Sequence, residues 1–127
     1  MNENVIEDLQ AAVRTCLQKY ADFDGRASRP EFWWFFVFQL GVYVVVSFLG
    51  SWLYFLAMLG LALPAIGVGV RRLHDIGKSG WLMLIALIPL FGGLVLLYFA
   101  AQPGQPSANA YGNPAAPIRE PQGAAGQ

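Results

Sequence analysis

The chain of 127 residues is 56% hydrophobic and 13% charged, with eight lysines and arginines balanced by eight aspartates and glutamates. Soluble domains carry roughly 25% charged residues, and here charge is absent altogether over residues 32–70 and 79–118. Two such runs cannot cover a soluble surface, which excludes an ordinary cytosolic enzyme and a soluble nucleic-acid binder, which needs a basic face and a net positive charge. The expected class is an all-α polytopic membrane protein: an N-terminal amphipathic helix, three transmembrane helices and a disordered tail.

Residues 1–22 form the first unit. Val5, Ile6, Leu9, Val13, Cys16, Leu17 and Tyr20 recur at helical spacing, with Glu3, Glu7, Gln10, Arg14 and Gln18 opposite. Such a helix either lies on a bilayer surface or packs on the protein's own loops. Acidic residues stand where the basic region of a secretory signal would be, and residue 2 is Asn, so neither a signal peptide nor a myristoylation box is expected. The single cysteine, Cys16, offers no intramolecular disulfide and no metal-ligand spacing.

The membrane domain is expected over 23–101. Asp24-Gly25 reads as a turn. Ser28 with Glu31 reads as a capping box, and Pro30 falls in a first helical turn, where its missing N–H costs nothing. A helix should start there and enter the membrane at Phe32-Trp33-Trp34. At 1.5 Å per residue the uncharged run 32–70 would extend about 58 Å, nearly twice the ~30 Å hydrocarbon core. Two spans, about 31–49 and 52–70, with a turn at Gly50-Ser51 fit that length. Pro64 leaves the carbonyl of Gly60 without its helical donor, so a kink is expected, and Ala65 with Gly69 lets another helix approach closely. Residues 71–80 are expected to be a loop. A third span is expected over 81–101, although Pro89 and Gly92-Gly93 leave a re-entrant hairpin open. Residues 102–127, rich in Pro, Gly and Ala, are expected to be disordered.

Seven basic residues, Arg14, Lys19, Arg26, Arg29, Arg71, Arg72 and Lys78, fall on one face of this arrangement. The positive-inside rule makes that face and the N-terminal segment cytoplasmic, and with three spans the tail lies outside. Within the face, Arg26, Arg29, Arg71, Arg72 and Lys78 are candidates for contact with anionic lipid headgroups or an anionic ligand. The alternative is that they pair with Asp24, Glu31, His74 and Asp75 and fix the loops. Other chemistry is thinner. Gly77-Lys78-Ser79 lacks the glycine a P-loop needs at position 72 and has no preceding strand. His74-Asp75 has no nucleophile or metal partner beside it, and neighbours on a helix do not face each other. No catalytic residue, metal or cofactor is expected.

Three stretches in order carry a family resemblance: Phe23-Asp-Gly-Arg-Ala-Ser-Arg-Pro-Glu-Phe-Trp-Trp-Phe, Arg71-Arg-Leu-His-Asp-Ile-Gly-Lys-Ser-Gly-Trp, and Gln102-Pro-Gly-Gln-Pro-Ser-Ala-Asn-Ala-Tyr-Gly. Over roughly 20–114 the chain resembles domain of unknown function 805, a family of small bacterial inner-membrane proteins. The resemblance implies several transmembrane helices in the inner membrane and assigns no catalytic residue. The functional expectation is a non-enzymatic, multi-pass inner-membrane protein whose partners are membrane lipids, copies of itself or other membrane proteins. The alternative is a component of a small-solute transport or channel assembly. Against a pore built by one chain, the first two spans offer only Gln39, Ser47 and Ser51 as non-aromatic uncharged polar side chains.

Overall fold

A computed structural model describes residues 3–115. The expected disorder of 116–127, with Arg119 and Glu120, falls outside the described residues. All helical elements are α or 3-10: α1 is Glu3–Gln18, α2 Arg29–Leu49, α3 Ser51–Asp75, a 3-10 helix covers Gly80–Leu87, and α4 is Phe91–Ala101.

Helix α1 contains neither Gly nor Pro, and it packs against α2 and α3. Ala12 and Cys16 are its buried contacts, and Cys16 joins Ala27, Phe35 and Val68 in the small apolar core. Ile6 and Leu17 stay exposed on the same helix. Helix α2 begins as its sequence specifies. Ser28 is extended and accepts the Glu31 N–H at 3.4 Å, with Pro30 in the first turn. Only half of the expected capping box forms, because the Glu31 carboxylate turns inward to Arg71 instead of back to Ser28. The turn before it also differs in detail: Asp22 Oδ1 accepts the Asp24 N–H at 3.0 Å, and Gly25 takes the positive φ of 84°.

Helices α2 and α3 are long and apolar enough to cross a bilayer, and they pack as a hairpin about Gly50. Pro64 lies inside α3 without ending it. The Gly60 carbonyl that it deprives of a donor is taken by the Tyr20 hydroxyl at 3.3 Å. Gly67 lets the connection after α1 cross α3 closely, since a Cβ there would lie 3.4 Å from the Asp22 carbonyl oxygen.

Two expectations are corrected here. Residues 71–75 are not a loop but the last turns of α3; the loop is 76–79, with Gly77 at φ 81° just beyond the helix end. The charges do not end the helix because they are paired inside it and across to its neighbours. The expected span 81–101 is not one helix. Pro89 can supply no N–H to the Ile85 carbonyl, which accepts instead from Ile88 at 2.9 Å, closing the 3-10 helix. Leu90 then adopts φ 63°, ψ −57°, with Phe91 N–H donating to the Pro89 carbonyl at 2.6 Å, a strained γ-turn. The chain reverses, and α4 packs back on the 3-10 helix. At Gly92 the two backbones are so close that a Cβ would overlap the Ile85 carbonyl oxygen. The arms rise about 16 Å each, half of a hydrocarbon core.

Both ends of this short hairpin lie at the charged end of α2 and α3. Gly80 abuts Val70 and His74, while the Ala100 carbonyl accepts from Trp33 Nε1 at 3.3 Å and Arg72 Nε at 3.0 Å. The following segment, 102–115, is a folded strap across that end and not a disordered tail. Its turn is set by paired backbone bonds between Asn109 and Gly112 and by Asn109 Oδ1 accepting the Tyr111 N–H at 2.8 Å.

Candidate functional site

The charged residues converge where α3 ends, α2 begins and the strap crosses. Asp75, on the last turn of α3, accepts from Arg26 Nε at 2.8 Å and from Arg72 Nη1. Arg26 comes from the turn before α2 and also reaches the strap: Nη1 donates to the Ser107 and Gly112 carbonyls at 2.9 and 3.2 Å, and Nη2 to Gln105 O at 2.5 Å and Asp75 O at 3.3 Å. Arg72 ties three more segments through the carbonyls of Ala27, Ala100 and Gln102. A Cβ on Gly104 would overlap the Asp75 carboxylate, so the strap seals the pair from above. Planar guanidinium forks suit this work, because five donors can be aimed at carbonyls on separate segments.

A second pair lies beside it. Arg71 Nη1 donates to Glu31 Oε2 at 2.5 Å, joining α3 to α2. Cys16 Sγ of α1 is 3.7 Å from the same oxygen. Burial pushes the Cys16 thiol up to about 12, Glu31 adding to the shift and Arg71 opposing it. Arg71 Nε and Nη2 are buried and meet no acceptor among the described residues.

The five cations expected to face anionic ligands therefore divide. Arg26, Arg71 and Arg72 are 4%, 0% and 1% exposed and point into the protein, where internal carboxylates and carbonyls hold them. Their expected contact with headgroups is corrected: these three are internal clasps. Arg29 and Lys78 remain exposed at the rim. Arg29 reaches the Ala101 carbonyl at 3.4 Å, and Lys78 Nζ sits 5.2 Å from the centre of the Phe99 ring.

Of the four expected loop-fixing partners, Glu31 and Asp75 take that part through the arginines. His74 takes it differently. Its Nδ1 lies 2.9 Å from the Gly25 carbonyl oxygen, and its ring stacks on Tyr111 with centroids 3.9 Å apart and planes 2° from parallel. Asp24 is exposed and enters no ion pair among the described residues. The strap residues Gln105, Asn109 and Tyr111 were missed as partners. Their signal was the Asn109-Ala-Tyr-Gly112 pattern, an Asx-turn sequence in a segment otherwise read as flexible.

Two cavities flank Met83 of the 3-10 helix. One, about 280 Å³, lies between α2, α3 and α4 and has Gln39 and Arg72 in its wall. The other, about 590 Å³, lies between α3 and the 3-10 helix, with His74 and Ser79 among aromatic and aliphatic neighbours. Among the described residues no three His, Cys, Asp or Glu side chains are grouped to hold a metal.

The chain is similar in sequence to known proteins. Inner membrane protein YhaI of Escherichia coli K12 is 38% identical over 104 residues, covering 76% of this chain and 88% of YhaI. Inner membrane protein YhaH of the same strain is 34% identical over 107 residues, with the same two shares covered. Uncharacterized protein YiiR is 34% identical over 92 residues, covering 65% of this chain and 63% of its own length. No solved structure matches. The model of a protein family of unknown function, DUF805, matches residues 20–113, from the turn before α2 through the strap that closes the arginine clasp, and the chain belongs to that family.

Proposed function

We propose that the protein is a non-enzymatic, multi-pass constituent of the bacterial inner membrane, with its charged end cytoplasmic and its exposed rim cations on anionic headgroups. The observation that carries this reading is the division of the five cations. Three arginines are sealed within the fold, and Arg29 and Lys78 are left outside, at the level where Trp33 and Phe99 flank the apolar helices. In this reading α2 and α3 cross the bilayer, while the 3-10 helix and α4 enter and leave by the same face, which puts the strap on the cytoplasmic side with α1. The relatives' names as inner membrane proteins support the location. Support for a non-enzymatic role is that Glu31 and Asp75, natural general acids or bases, are each held by arginines of the same chain.

Reporter fusions after residue 115 and within the Gly50 turn test the insertion. The first should read cytoplasmic and the second periplasmic; an external strap would sink it. For the rim, purified protein reconstituted with phosphatidylglycerol should retain that lipid over phosphatidylcholine. Each basic residue near a surface contributes about 1 kcal/mol, so Arg29→Gln with Lys78→Gln should reduce the preference about tenfold or more. An unchanged preference would remove the headgroup reading while leaving the insertion intact.

A second reading, participation in small-solute transport, is favoured by Gln39, an amide within α2 that lines the 280 Å³ cavity together with Arg72. Flux through liposomes that falls in Gln39→Leu would support it.

A further inference from the structure

We propose that the 590 Å³ cavity between α3 and the 3-10 helix is a binding site for the hydroxyl-bearing ring of a membrane quinol, with His74 Nε2 as its acceptor. The site is independent of the headgroup contact at the rim. Three observations build it.

The polar end is set by His74. Its Nδ1 lies 2.9 Å from the Gly25 carbonyl oxygen, which can only accept, so the Nδ1 proton is fixed there. In the neutral ring Nε2 then carries a lone pair. That nitrogen faces Gly80, where a Cβ would come within 3.3 Å of it, and both residues line the cavity. The ring cannot swing away, because it lies flat on Tyr111, whose own position is held by the Asn109 turn. A fixed lone pair asks for a ligand O–H.

A second polar group stands nearby. Ser79 Oγ accepts the Trp81 N–H at 3.2 Å, capping the 3-10 helix, and leaves its own O–H as a donor. A ligand with one hydroxyl and a further ring oxygen is matched by this acceptor and donor.

The rest of the wall is apolar and partly aromatic. Phe23, Trp81 and Tyr111 offer ring faces, and Ile66 and Leu84 lie at the outer side. Trp81 is 79% exposed, and Ile66 and Leu84 are also exposed, in a stretch of α3 and the 3-10 helix whose surroundings are otherwise apolar. An apolar tail can leave by that side without breaking a polar contact. Sites of 300–1,000 Å³ with a few fixed polar groups in an apolar wall are the usual form of small-molecule pockets. A flat ring, a hydroxyl and a hydrocarbon tail together describe a quinol. An acyl chain would leave His74 and Ser79 unmatched.

Purified full-length protein in detergent is titrated calorimetrically with decyl-ubiquinol kept reduced under nitrogen, with detergent alone as the blank. Saturable one-to-one binding is expected. His74→Phe keeps the stack on Tyr111 but removes Nε2, and affinity should fall at least tenfold. Ile66→Trp fills the outer side of the cavity without touching the arginine clasp, and it should lower affinity comparably with an unchanged melting profile. Should His74→Phe fail to fold, Ile66→Trp carries the test. No saturable binding, or equal affinity in folded Ile66→Trp, overturns the site. Decyl-ubiquinone binding as tightly as the quinol overturns the role of Nε2. A phospholipid that copurifies with the wild type, survives His74→Phe and is lost with Ile66→Trp overturns the quinol in favour of a lipid tail.

Discussion

The two charge-free runs, 32–70 and 79–118, are almost equal in length, yet one becomes a hairpin of two long helices and the other two short arms and a strap. The apolar part of the second run, 81–101, is as apolar as the first run, and each contains a proline within an apolar stretch. The difference lies in what happens to the carbonyl four residues before it. Pro64 frees the carbonyl of Gly60, and the Tyr20 hydroxyl takes it, so α3 continues. Pro89 frees that of Ile85, which turns to Ile88, and the chain reverses through Leu90. In this chain the proline that the helix passes has a distant side chain on the freed carbonyl, and the one at which the helix ends does not.

Both runs are anchored at Asp75, so its loss should have the largest effect. Asp75→Ala leaves Arg26 and Arg72 buried without their carboxylate, and breaking a buried pair from one side costs about 3–5 kcal/mol. Unfolding in mild detergent should show that drop together with protease sensitivity of the strap. If the strap stays protected, the carbonyl contacts of Arg26 suffice without the carboxylate. Gly92→Ala acts on the second run alone. Its Cβ would overlap the Ile85 carbonyl, so the arms must part, at a cost of about 3 kcal/mol. Cysteine accessibility along 84–96 should rise while α2 and α3 stay protected.

Tyr20→Phe tests the first run. Removing the donor to Gly60 should cost about 1 kcal/mol and raise hydrogen exchange around 60–64. Exchange unchanged there would mean that the hydroxyl is not what carries α3 past Pro64. The smallest effect is expected at the reversal: Leu90→Gly relieves a positive φ and should stabilise by about 0.5 kcal/mol, the gain limited by glycine's freedom in the unfolded chain. A labelling control is independent of both runs. With its thiol pushed up to about 12, Cys16 should resist maleimide at pH 8 until the protein is unfolded.

Much of this was legible in the residues. Ser28 and Pro30 marked the start of α2, Gly50 its turn, and the clustering of charge at 23–31 and 71–78 marked one end of the molecule. The end of α3 is not marked by the first charge, because Arg71, Arg72 and Asp75 continue the helix and are paired within the fold. The spacing of Arg72 to Asp75 and the glycine at 77 were the better signals. The strap was not legible for a different reason. Arg26 and Arg72 hold it mainly through backbone carbonyls, and a carbonyl leaves no mark on side-chain composition. The same holds for the site itself. Sequence placed five cations together, but only packing shows that three face inward and two outward.

The reversal at Leu90, 82% exposed at the far tip of the short hairpin, has a consequence for the surrounding lipid. With arms of about 16 Å, the hairpin fills only the near half of the bilayer in the proposed insertion, and the far half is crossed by α2 and α3 alone. The molecule is then a wedge that displaces more lipid from one leaflet than from the other. In that insertion, bilayers bent so as to widen the crowded leaflet accommodate the shape with less strain.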